Sequence, residues 1–400
     1  MGNAIIIGCS YAGLAAALEL RSHLPASQTV TVVSLSDQFI FFPSLIWVIQ
    51  GERELTDISF PIRPVLEKAG ITFVHARLER INTEASSITL SDGRELTFER
   101  LLIATGGEWD WGSTPGLRPK PQGFTTSMLS PGGALDARKE WQALLADPGP
   151  LIIGLDLNAS LYGAAYEFAL NLDIALRKAG VREEAQITFL TPEPYLGHFG
   201  HDGLGNSRQI IEGAFARQDI TYVTEAQIDH IEEGTVVLGN MFARLPSNFT
   251  MIVPPYRGIA PVRAVPGLGD EKGHIPVQAT YRSQRFPHIF AAGAAIQLKP
   301  QVTTGLPCGV FVPGTASAEM GRVAATNIAA DLGYGEPIEK PVTAIMKSFY
   351  VLDSAGHGLF MSLGPQSWLN LQLNVPGPWG HWAKIMTEKY QMWQLQSGRY

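Results

Sequence analysis

Residues 5–14, Ile-Ile-Ile-Gly-Cys-Ser-Tyr-Ala-Gly-Leu, place an apolar run, a glycine-bounded turn and the start of an alanine-rich stretch in immediate succession. This succession predicts a buried strand that turns directly into a helix, and the apolar TVTVVSL at 29–35 completes a βαβ unit. The turn follows a G-x-G-x-x-G pattern with Gly8, Ser10 in the second glycine's place, and Gly13. A small residue there lets backbone N–H groups approach a pyrophosphate, and the helix N-terminus favours its negative charge. The acidic residue expected about twenty positions on to hold a ribose hydroxyl is missing. Ser34 holds that place, with Asp37 nearby. Read alone, the turn serves equally as a close-packed strand–helix joint that binds nothing. Cys9, inside it, reads as a small packing residue with an inert sulfur.

A chain of 400 residues exceeds what one core supports, so two or more domains are expected. With 45% hydrophobic residues, 17% charged residues and a net charge of −7, it is neither disordered nor built to neutralise nucleic-acid phosphates. Two cysteines, Cys9 and Cys308, are too few for a disulfide framework or a cysteine-rich metal site, and they fit a reducing compartment. No metal site is expected. The uncharged run 4–18 has no basic residue before it and is shorter than a membrane span needs. Neither a signal peptide nor a transmembrane helix is therefore expected.

Further along, 71–81 and 87–98 read as strands, the latter folded on an Asp92-Gly93 hairpin turn, and 100–107 as a buried strand ending in glycines. A Gly/Pro-rich stretch, 112–133, marks a boundary. A second block follows, with strand 150–155, helix 160–179 and strand 186–193. Residues 286–295 read as another strand running into a glycine turn, and about 316–332 as a helix. The pattern is α/β: two Rossmann-like dinucleotide-binding domains plus a C-terminal membrane-associating region. Residues 1–112 and 286–340 form the first domain, 113–285 the second and 341–400 the tail. Four of eight tryptophans (368, 379, 382, 393) lie in that tail, and Trp382, Ile385, Met386, Tyr390 and Trp393 share one helical face. Such a face suits a membrane interface, the protein's own core or a dimer contact.

The turn of the second block runs Gly154-Leu155-Asp156-Leu157-Asn158-Ala159-Ser160. Leucines and a carboxylate stand where a nicotinamide dinucleotide needs bare backbone, which argues against NAD(P)H.

Two segments, LLIATGG (101–107) and IFAAGAA (289–295), resemble the second and third signatures of two-dinucleotide-binding-domain flavoproteins. Longer stretches are similar to the sulfide:quinone oxidoreductases: residues 41–76, 146–154, 163–172, the TPEPYLGHFGHDGLGNS of 191–207, and the tail from 380. The similarity runs over essentially the whole chain. It implies FAD held around Gly8, Ser10, Gly13, Ser34, Pro43, Thr105, Gly106, Gly293 and Ala294. It also implies a quinone acceptor, a small-molecule donor and a peripheral, monotopic seat on the cytoplasmic membrane surface, with homo-oligomerisation left open. Some relatives also lack an acidic residue near 293, so Ala294 does not count against a flavin.

Set against that family, the chain departs at its reactive thiols. The family's three cysteine positions fall on Leu129, Leu161 and Met346. A thiolate is both nucleophile and disulfide partner, and none remains there to carry a persulfide. The family's Pro-Lys-Thr-Gly turn becomes Pro313-Gly314-Thr315, without the lysine, which shifts a flavin toward a weaker oxidant unless another cation compensates. Cys308 is either a substitute nucleophile or a buried inert thiol. Glu167 and His198 match family positions that move protons, and each reads equally as a structural polar residue. The expectation is an FAD-dependent oxidoreductase that passes electrons from a small donor, a sulfur compound among the candidates, to quinone without a persulfide relay. Its alternatives are a non-catalytic flavin-binding membrane partner or sensor, and an NAD(P)H:quinone reductase.

Overall fold

The computed structural model describes residues 3–203, 205–300, 302–346, 349–353, 359–363, 372–375 and 379–397. Strand β1 (Asn3–Ile7) pairs in parallel with β2 (Thr29–Ser34), Ile5 opposite Thr31. Pairing continues outward through β3 (Thr72–His75) on one side and through β4 (Arg100–Ile103) and β9 (Ile289–Ala291) on the other. The order β9-β4-β1-β2-β3 is parallel throughout. Runs such as Ala4–Ile7 and Leu101–Ile103 are buried along their length, because a parallel sheet is covered on both faces. One cover is the pair of helices α1 (Tyr11–His23) and α4 (Gly314–Asp331). They meet at Gly321, where a Cβ would come within 2.2 Å of the Ala12 carbonyl oxygen.

A second parallel sheet has the order β7-β6-β5-β8, made of Thr221–Val223, Ile187–Leu190, Leu151–Leu155 and Phe249–Val253. Helices α2 (Pro131–Ala146) and α3 (Tyr162–Ala179) belong to this block. A two-residue ribbon, Glu108–Trp109 against Tyr256–Arg257, joins the segments between the sheets, with the Trp109 and Tyr256 rings stacked at 4.0 Å.

The structure differs from the sequence reading in several places. The single strand expected over 71–81 divides after His75, because Leu78–Asn82 turns away to pair antiparallel with Ser87–Leu90. Helix α3 begins at Tyr162 rather than 160, and α4 begins at Gly314, two residues early, directly after Pro313. A three-stranded antiparallel sheet, Phe349–Asp353, Leu359–Leu363 and Gln372–Val375, precedes the last helix, α5 (Trp379–Ser397), where only a helix was expected. Trp368 lies outside the described residues.

Candidate functional site

Strands β1, β4 and β9 run the same way, so the residues just after them meet at one edge of the sheet. There Ser10–Ala12, Ala104–Gly107 and Ala292–Ala294 line a pocket of about 380 Å³, closed by Phe42, Pro43 and the Pro313–Gly314 start of α4. Gly8 lies beneath it at φ +95°, where a Cβ would stand 2.4 Å from the Ala104 carbonyl oxygen; one on Gly13 would stand 2.0 Å from that of Gly8. Both glycines are therefore steric requirements of the turn. Ser10 precedes α1 without a side-chain cap, leaving the first-turn N–H groups to whatever fills the pocket. The buried Tyr11 hydroxyl on this wall has no hydrogen-bond partner among the described residues.

Of the residues singled out from the sequence, Ser10, Pro43, Thr105, Gly106, Gly293, Ala294 and Glu167 line the pocket, together with Leu129 and Leu161. Gly8 and Gly13 shape its floor. Ser34 ends β2, buried but outside the lining, its Oγ accepting from the Ser36 N–H at 3.3 Å. His198 is buried and outside the lining too; its Nδ1 accepts from the Gly200 N–H at 3.2 Å, and burial lowers its pKa, keeping the imidazole neutral. Cys308 lines a neighbouring cavity that shares Leu161, Ala294 and Val312 with the pocket. Its thiol is buried, and burial raises its pKa against the opposing pull of Thr304 and Tyr162, so the thiolate is disfavoured. Burial likewise raises the pKa of Cys9. Met346 ends a short helix, Val342–Met346.

The sequence reading missed Lys384. Its ammonium pairs with the Glu167 carboxylate, both side chains are 8% exposed, and it lies 4.2 Å from the centre of the Trp47 ring. One turn on, Glu388 is fully buried and accepts from the Ser44 hydroxyl. Helix α5 thus turns charges inward. Outward it presents Trp382, Met386, Tyr390 and Trp393, each more than half exposed. Ile385, expected on that face, is half-buried and packs against the core. The signal for the inner stripe was present as a Lys and a Glu four residues apart, opposite the aromatic face.

Two more features surround the site. In the second block, Asp156 is 2% exposed and its carboxylate accepts from Ser113 Oγ at 2.6 Å, Thr114 Oγ1 at 3.0 Å and Leu157 N at 2.8 Å. The chain's own carboxylate takes up the Leu157 N–H of this turn and ties the turn to Ser113 and Thr114. In the TPEPYLGHFG segment (191–200), Glu193 is fully buried and accepts from Tyr166 Oη at 2.5 Å, Thr191 Oγ1 at 2.7 Å and Phe199 N at 2.7 Å. Burial pushes its carboxyl up to about 7 against these donors. No group of three or more His, Cys, Asp or Glu suited to a metal occurs among the described residues, and no described helix is long and apolar enough to cross a membrane.

The sequence profile of the family described as pyridine nucleotide-disulphide oxidoreductase matches residues 2–306. The chain is 30% identical to a sulfide-quinone reductase of Aquifex aeolicus, over 99% of this chain and 91% of the relative. It is 25% identical to an NADH dehydrogenase-like protein of Mycobacterium tuberculosis, over 89% of this chain and 87% of that one. Among solved structures, the sulfide:quinone oxidoreductase of Aquifex aeolicus matches with a TM-score of 0.90 at 29% identity, covering 100% of this chain and 92% of that one.

Proposed function

The chain belongs to the pyridine nucleotide-disulphide oxidoreductase family, and from that premise we propose an FAD-dependent, quinone-linked oxidoreductase similar to sulfide-quinone reductase but without its cysteine relay. One observation carries this reading: the pocket at the ends of β1, β4 and β9 offers a flavin dinucleotide a bare glycine turn and an uncapped helix start, and its wall holds Leu129 and Leu161, which the family resemblance sets in place of thiols.

The fit rests on the bare turn at Gly8 and Gly13, the uncapped start of α1 and the unpartnered Tyr11 hydroxyl. The α1 N–H groups and Ser10 would hold the diphosphate, with Thr105, Gly106, Gly293 and Ala294 along the rest. When bound, FAD supplies the two-electron exchange between donor and quinone. The protein's own residues do the remainder. Leu129 and Leu161 exclude water and offer no sulfur to the donor, so no persulfide is held at those two positions. Glu167 sets a carboxylate in the pocket wall, held there by the Lys384 ammonium, where it would relay a proton toward a quinone being reduced.

The family resemblance and the exposed aromatic face of α5 together support a peripheral seat on the cytoplasmic membrane surface. The proposed domain limits are 1–112 and 286–340 around FAD, 113–285 as the second domain and 341–400 as the membrane-associating tail.

The test is the absorbance of purified protein, followed by anaerobic additions. A yellow protein, bleached by a donor and recoloured by a soluble quinone, is expected. Rapid sulfide turnover would remove the claim of a lost relay. A colourless protein that takes up no FAD would end the enzyme reading and leave a non-catalytic membrane partner.

A further inference from the structure

Beside the FAD pocket is a second cavity, of about 270 Å³, and Leu161, Tyr256, Ala294 and Val312 form the common wall of the two. Its lining includes Leu161, Ile296, Val310 and the protonated Cys308, with Asn158 and Ser160 beside them. Its rim carries Lys272 and Lys299, both exposed, and neither has an ion-pair partner among the described residues.

The rim's one carboxylate, Asp270, offsets one of these charges and leaves the rim net positive. Asp270 Oδ1 accepts from the Lys272 N–H at 3.0 Å and the His274 N–H at 2.9 Å, while Oδ2 accepts from Gln297 Nε2 at 2.9 Å. Those bonds make Asp270 the organiser of a tight turn that ends at Gly273, φ +84°, and presents Lys272 at the rim. His274 is kept neutral because burial lowers its pKa. A partly apolar interior under a net positive rim, in a chain of net charge −7, is complementary to one chemical class.

We propose that this cavity binds a small organic anion, its apolar end against the wall shared with the FAD pocket and its anionic group between Lys272 and Lys299. The inference rests on the oxidoreductase reading, for which it defines the donor side, and it adds the substrate class. Leucines in place of thiols make it coherent, since a donor that is not captured covalently must be held by shape and charge.

The experiment is calorimetric titration of the full-length, FAD-loaded protein with butanoate and with butan-1-ol, a neutral probe of similar size. Butanoate should bind about tenfold tighter, an advantage that salt weakens, and Lys272→Ala with Lys299→Ala should abolish it without changing flavin content. Equal binding of the two probes, or undiminished butanoate binding by the double variant, would overturn the proposal. Calorimetry reads binding whether or not electrons move. A colourless protein that binds butanoate through both lysines would keep the anion site and sink the flavin reading; a yellow protein that does not would do the reverse.

Discussion

Glu193 shows what one buried group does to a whole loop. Its carboxylate gathers Tyr166, Thr191 and the Phe199 N–H, and Tyr166 Oη in turn accepts from the Gly197 N–H at 3.0 Å, so the segment holding His198 is fastened from both ends. Burial raises the carboxyl from its usual 4.5 to about 7, so the folded state holds a proton that the unfolded chain has already released. Folding stability from this group is therefore fully present below about pH 4.5 and falls as pH rises through 7, by at most about 1.4 kcal/mol per unit. Glu193→Gln removes that slope. Its thermal midpoint should lie furthest below wild type near pH 5 and draw closer by pH 8; a gap constant across that range would mean the carboxyl titrates normally. At this scale the sequence was informative where chemistry is local. Gly8, Ser10, Gly13, Thr105 and Gly293 were legible because a turn needs those residues wherever it occurs. The inward turn of Lys384 was signalled by Glu388 four residues on, but its pairing was not, because Glu167 lies 217 positions away and no spacing rule spans that distance.

Helix α5 illustrates the same limit for an element. Periodicity grouped Trp382, Ile385, Met386, Tyr390 and Trp393, yet a stripe does not say whether it faces the protein or leaves it. The inner stripe decides, because Lys384 and Glu388 find Glu167 and Ser44 and so turn the aromatics outward. The tail sheet was illegible for a related reason: its strands are four or five residues long and are defined by antiparallel partners rather than by strong alternation of their own. By contrast β1, β4 and β5 were readable as unbroken apolar runs, the mark of strands covered on both faces. Two outcomes test the helix. Lys384→Ala leaves Glu167 buried without its cation and should cost about 3–5 kcal/mol in urea unfolding, much of it recovered by Glu167→Leu with Lys384→Leu. If the single and double variants unfold alike, the pair is not a unit. Separately, Trp382→Ser with Trp393→Ser should leave the urea midpoint near wild type and reduce cosedimentation with anionic lipid vesicles severalfold. Unchanged cosedimentation would place membrane contact elsewhere.

On the scale of the whole molecule, the two parallel sheets repeat one architecture with opposite outcomes at the edge. After β1 the chain leaves bare backbone under a pocket; after β5 it turns Asp156 inward onto Ser113, Thr114 and its own Leu157 N–H. Gly154 gives no room either, since it is there for the sheet: a Cβ would stand 2.3 Å from the Leu190 carbonyl oxygen. A dinucleotide diphosphate at the second turn would meet a buried carboxylate in place of free donors, so in the proposed function the second domain is scaffold for the common wall and not a nicotinamide site. NADH and NADPH should therefore neither quench tryptophan fluorescence on titration nor bleach the flavin within seconds. Asp156→Gly alone should not create binding, because Leu155 and Leu157 still flank the turn and Asn158 N remains tied to the Pro307 carbonyl at 2.8 Å. Bleaching of wild-type protein by NADH would show that the turn opens in solution, and with it the NAD(P)H:quinone reductase reading would displace the one argued above.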